Sequence, residues 1–163
     1  MPIELLDNLI NDNYKVRKNN EGCYILEEKS AKTFPKTQLK TSGKFLLYKF
    51  DDDKTLLHFF KDIEGAKSIS DYVCFMIYKD SLFIYIIELS TKKYKTYQKI
   101  TTKLFIDFII KTCERLNKKK FQLTYKNLLI TKIQQEITTK LHYKDNYFHK
   151  AGKDIKLLNY CLM

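Results

Sequence analysis

Tryptophan is missing from this sequence, and Arg17 and Arg115 are its only arginines. It has two prolines and four glycines, too few for a collagen-like or linker-rich chain. No apolar run approaches the ~20 residues that a membrane-spanning helix needs. The longest, Tyr72 to Tyr78 and Leu82 to Ile87, are separated by Lys79, Asp80 and Ser81. Glu4 and Asp7 stand where a secretion signal would carry Lys or Arg, so none is read. Cys23, Cys74, Cys113 and Cys161 are widely spaced, with no C-x-x-C and no adjacent His pair to suggest zinc. Cys74 and Cys113 lie within apolar patterns, and all four cysteines are expected as structural residues. Phosphate-binding glycine loops and the G-x-S-x-G elbow are absent. Asp51 to Asp53 with Asp62 mimics EF-hand spacing, but Leu56 stands where glycine is required. His58, His142 and His149 are too scattered to pair as ligands. The expectation is a single cytoplasmic domain over residues 1–163 with no membrane partner.

What is present is ample core: 44% of the 163 residues are hydrophobic, among them 12 Tyr and 11 Phe, which rules out wholesale disorder. The formal charge is +11, and it is unevenly placed. Residues 1–90 hold 13 basic and 14 acidic side chains, whereas residues 91–163 hold 17 and 5. The whole excess therefore lies in the C-terminal part. Lys93, Lys118, Lys119, Lys120, Lys144 and Lys150 are candidate phosphate contacts there. A basic run such as Lys118 to Lys120 also has a structural explanation, because it complements a helix dipole. The HYKDNYFHKAGK stretch (142–153) interleaves basic and aromatic residues, which suits backbone contact with base stacking. It equally suits an edge strand or a loop.

Periodicity gives the elements. Ile3, Leu6, Leu9 and Ile10 are spaced for a short amphipathic helix over 2–11. Residues 22–28 and 44–50 read as strands, and 30–43 as loop. Three aspartates ahead of Thr55 and a stop at Gly65 predict a helix between them. Residues 72–78 and 82–89 read as a hairpin apolar on both faces, which belongs in the middle of a covered sheet. From 94 to 117, Ile100, Leu104, Phe105, Phe108, Ile109, Thr112, Cys113 and Leu116 predict a long amphipathic helix. Residues 121–130 are a strand candidate, 132–142 a weak helix and 155–162 a terminal strand. The order implies an α/β fold: a mixed sheet with a central hairpin and flanking helices.

Asp71 begins the first hairpin strand and Glu88 lies near the end of the second. If the turn centres between Lys79 and Asp80, paired positions add to 159, and these two carboxylates face each other with Cβ atoms ~5 Å apart. Like charges so placed need neutralising, and a divalent cation held by two carboxylates is the economical answer. The bland alternative is that the two acids mark where the strands emerge into solvent.

A buried hairpin with Asp at its start and Glu-x-Lys at its end, then a long helix and a further strand, resembles the PD-(D/E)XK nucleases. Ser70-Asp71 is similar to the family's Pro-Asp and Glu88-Leu89-Ser90 to its Glu-x-Lys, over roughly residues 44–131. The resemblance implies a restriction-endonuclease-like fold, Mg²⁺ or Mn²⁺ on Asp71 and Glu88, and hydrolysis of a nucleic-acid phosphodiester, DNA or RNA. It implies a lysine that orients or activates water, yet Ser90 occupies that position. Lys92 shares the strand parity of Glu88 and is the candidate replacement; Lys93 has the opposite parity. The alternative is an inactive nuclease-like domain acting as a nucleic-acid-binding or protein-interaction module. A homo-oligomer or a protein partner stays open. Glu27, Glu28 and Glu64 are candidate third acids, and Gln98 resembles a glutamine that some branches of the family carry at the start of that helix.

Overall fold

A computed structural model describes residues 2–28, 34–41, 43–50, 66, 68–90, 96–131, 146–150, 152 and 154–156. The expected helices over 55–64 and 132–142 lie outside these residues, as do Lys92, Lys93, Lys144, Glu64, Cys161 and positions 157–162.

The first helix forms where the periodicity puts it. In α1 (Pro2–Leu9), Ile3 and Leu6 are buried, and Ile10 follows them into the core. Three strands follow: β1 (Tyr24–Leu26), β2 (Thr37–Lys40) and β3 (Phe45–Tyr48). Strand β2 falls within the segment expected as loop. Thr37 and Leu39 alternate inward at 0% exposure, so the period-2 pattern is present but only four residues long.

The hairpin is β4 (Tyr72–Tyr78) and β5 (Ser81–Ser90). Lys79 and Asp80 form its two-residue turn with φ of 46° and 63°. Left-handed backbone at both central positions matches the right-handed twist of the flanking strands. The register follows: Tyr78 pairs with Ser81 and Tyr72 with Ile87, so paired positions add to 159 as the sequence predicts.

After the hairpin come α2 (Thr96–Asn117), β6 (Leu123–Thr131), β7 (Asn146–Lys150) and β8 (Ile155–Lys156). One mixed sheet has the order β3-β4-β5-β6-β7, with β4 antiparallel to its neighbours and β5, β6 and β7 parallel. Within the 142–153 stretch, β7 is thus a strand at the edge of the sheet among the described residues. A second sheet has the order β1-β2-β8.

The two faces of the large sheet are covered differently. Val73, Phe75, Leu82 and Ile84 meet α1 and α2 through Leu6, Ile106, Ile110 and Cys113. Cys74, Met76, Tyr85, Ile87, Leu128 and Ile130 meet Tyr24, Leu26, Leu39 and Ile155 of the small sheet. Among the described residues, then, both helices lie on one face rather than flanking the sheet. Cys23, Cys74 and Cys113 are free and buried, as core cysteines should be.

Helix α2 corrects the expected stripe. Thr102, Ile106, Ile110 and Cys113 face inward, while Ile100, Leu104, Phe108 and Leu116 are exposed. The helix is apolar on more than one side, so tertiary contacts choose the buried face.

Candidate functional site

Continuing the hairpin register one step beyond Tyr72–Ile87 places Asp71 opposite Glu88. Both are buried, at 6% and 5% exposure, so neither marks the emergence of a strand into solvent. By parity, Asp71 shares a face with Val73 and Phe75, and Glu88 with Leu82 and Ile84. Both carboxylates therefore belong to the helix-covered face, at the carboxyl end of β5. One oxygen of Asp71 accepts the Leu89 backbone N–H at 2.5 Å, a charge-assisted bond just beyond the last ladder pair.

The segment entering the site is clamped to the first turns of α2. Ser70 N–H donates to Thr102 Oγ1 at 2.7 Å, and Thr102 Oγ1–H donates to the Gln98 carbonyl at 2.6 Å. Gln98 Nε2 donates to the Ile69 carbonyl at 3.4 Å. Gln98 Oε1 and Ser70 Oγ are buried with no hydrogen-bond partner among the described residues. Buried polar atoms are nearly always satisfied by protein or water, so these two oxygens mark a place for a water or a ligand. The sequence pointed weakly to Gln98, to Ser70 only as the neighbour of Asp71 in the motif it resembles, and not at all to Thr102. The signal was one polar pair, Gln98 and Thr102, a single turn apart on a helix whose same face carries Ile106 and Ile110.

Strand β6 completes the face. Its parallel register puts Leu129 beside Glu88 and Asn127, 5% exposed, beside Ile86. Lys126 has the opposite parity and donates to Tyr147 Oη at 2.6 Å on the other face of the sheet. It therefore faces away from Asp71 and Glu88. Ser90 itself is half-buried in register with Thr131, which pairs with Lys150 at the end of β7. The register position of Lys150 is thus at the same end of the sheet as those of Asp71 and Glu88.

The lysine run lies elsewhere. Helix α2 has 22 residues, about 33 Å, and Gln98 stands at its start while Lys118 to Lys120 follow its end. Lys118 has φ 51°, and Lys119 N–H donates to the Glu114 carbonyl at 3.1 Å, the bond that closes a helix with a left-handed residue. Glu114 also receives Phe121 N–H and pairs with Lys120. The run therefore terminates the helix. Among the proposed third acids, Glu27 forms an ion pair with Lys36 at 3.0 Å in the small-sheet layer. No group of three or more His, Cys, Asp or Glu side chains suited to a metal occurs among the described residues.

Asp71 and Glu88 form a pair of buried hard oxygen donors set opposite each other by the hairpin register. Such a pair suits Mg²⁺ or Mn²⁺ rather than zinc or copper. No helix among the described residues is long and apolar enough to cross a membrane. Comparison with models of protein families, with curated proteins and with solved structures finds no match for this chain.

Proposed function

We propose that the protein is a metal-dependent nuclease of the restriction-endonuclease-like fold, with Asp71 and Glu88 as its divalent-cation ligands. The observation that carries this reading is the pair itself: two buried carboxylates in register at the carboxyl end of a parallel strand. Support also comes from the element order, in which the hairpin is followed by a long helix and a strand parallel to β5. Ligands of open α/β sheets gather at this end of the strands.

Asp71 and Glu88 would hold Mg²⁺ or Mn²⁺ jointly, because a shared cation offsets their mutual repulsion. The ion would supply Lewis-acid stabilisation of phosphate charge and acidify a bound water. Gln98 and Thr102 fix the Ile69–Ser70 backbone that leads into Asp71, and Gln98 Oε1 and Ser70 Oγ would each accept a bond from a bound water or ligand. Lys92 is the proposed positioning lysine for the attacking water, and Lys93, Lys144 and Lys150 contact the phosphate backbone.

A second reading has a specific observation behind it. Ser90 stands at the motif lysine position, and no third acid joins the pair among the described residues. On this reading the domain binds nucleic acid or protein without cleaving. Incubation of wild type and Glu88→Gln with labelled single- and double-stranded DNA and RNA in Mg²⁺ or Mn²⁺ separates the two. The nuclease reading expects metal-dependent cleavage by wild type alone; inert wild type on every substrate leaves the binding module.

A further inference from the structure

Helix α2 carries an outward apolar stripe in addition to its buried one. Tyr97, Ile100, Leu104, Phe108 and Leu116 are 52–69% exposed. Steps of three and four residues align the first four along one side of the helix. Beside Phe108 lies a groove of about 220 Å³, floored by Leu9, Ile10, Phe50, Phe105 and Ile109 and walled by Thr112. Isolated surface hydrophobics need no explanation, but a continuous ridge running into a groove does. The four aligned side chains together expose roughly 400–500 Å² of mostly apolar surface. That is within the range of a monomer's largest patch and more than half of the ~800 Å² per partner in a standard interface.

We propose that this face is a homodimer interface whose occupant is the α2 face of a second copy, packed antiparallel about a two-fold axis that crosses the outward face of the helix at the level of residue 106. The face is complementary to itself. Tyr97, Ile100 and Leu104 of the ridge lie in the N-terminal half of α2, whereas Phe108, Ile109 and Thr112 of the groove lie in its C-terminal half. An antiparallel copy therefore lays ridge over groove twice, as an isologous contact requires. With the axis at the level of residue 106, Leu104 meets the partner's Phe108, Ile100 meets the partner's Thr112, and Tyr97 meets the partner's Arg115. The first two bring ridge residues onto residues that line the groove. The third brings an aromatic ring to a guanidinium, a favourable cation–π contact. Antiparallel helices also set opposite dipole ends side by side. Lys103, at the rim, is already paired with Asp107 at 2.6 Å within its own helix. What opposes association is the +11 charge on each copy, so the dimer tightens as salt screens that repulsion.

Sedimentation velocity of the full chain over a wide range of concentration and salt tests the proposal. The expected result is a concentration-dependent shift from 19.5 kDa to twice that mass, favoured by added salt. Leu104→Lys with Phe108→Lys should abolish the dimer while leaving the circular dichroism and the unfolding midpoint of the monomer unchanged, because both side chains are about two-thirds exposed. Leu104→Cys with Phe108→Cys should give an intermolecular disulfide on mild oxidation that neither single variant gives. A protein that stays monomeric throughout overturns the proposal, even if that monomer captures an acidic amphipathic peptide on the same face. So does a dimer that survives the double lysine variant.

Discussion

The Asp71 carboxylate accepts the Leu89 N–H, so removing it affects folding as well as any bound ion. Asp71→Ala is expected to cost about 1–3 kcal/mol in urea unfolding, since a buried donor loses its partner. Asp71→Asn keeps an acceptor there and should cost less, yet it removes the charge on which metal binding depends. Glu88→Gln is the cleaner probe of the cation, because it relieves a like-charge pair with little change of shape. Ser90 is half-buried, and a lysine can leave its position toward solvent. In a site that has merely lost its lysine, Ser90→Lys should raise the cleavage rate; continued inertness with metal bound would contradict that. Asp107 offers a separate test in acid. Burial pulls its pKa up, but hydrogen bonds from Lys103 and Tyr125 outweigh it, so the folded value lies below the usual carboxylate range. A depressed folded pKa gives stability that is complete above the unfolded value near 4 and is lost as pH falls through the folded one. The stability gap between wild type and Asp107→Asn, measured by urea titration, should therefore be larger at pH 7 than at pH 3.

The hairpin holds the site at the scale of elements, and its turn can be improved. Lys79 and Asp80 both adopt left-handed backbone, which Asn and Gly occupy more readily. Lys79→Asn with Asp80→Gly should raise the unfolding free energy by about 1 kcal/mol without shifting the register. Helix α2 divides by face: Ile106→Ala should cost about 2–5 kcal/mol, whereas Leu104→Ala should stay within about 0.5 kcal/mol for the monomer. The hairpin was legible because two runs of apolar and β-branched residues left one polar break, and a two-residue turn admits one register. From that register alone the Asp71–Glu88 pairing follows. The buried face of α2 was not legible, because its apolar residues nearly encircle it. Thr102 and Gln98 turn inward to hold the Ile69–Ser70 backbone, which the sequence of α2 alone does not reveal. Strand β2 was missed for a related reason. Three of its four residues are polar, and one of its partners is β8, far along the chain.

Among the described residues, Lys150 and the Lys118 to Lys120 run lie toward opposite ends of α2, which is about 33 Å long. Lys150 ends β7 beside the carboxylate end of the sheet, while Lys118 to Lys120 close the helix at the other. Polynucleotide affinity should fall steeply with salt as counterions are released. Charge reversal at Lys118, Lys119 and Lys120 should weaken binding only to duplexes longer than about 10 base pairs, the number that span this distance. Equal loss on shorter oligonucleotides, in a fluorescence anisotropy titration, would contradict that division. The account rests above all on Asp71 and Glu88 sharing a divalent cation. Anomalous diffraction from crystals soaked in Mn²⁺ tests this most directly. The predicted result is a single strong peak between the two carboxylates that disappears in Glu88→Gln. A site without a peak at saturating Mn²⁺, in crystals whose hairpin register is unchanged, would contradict it.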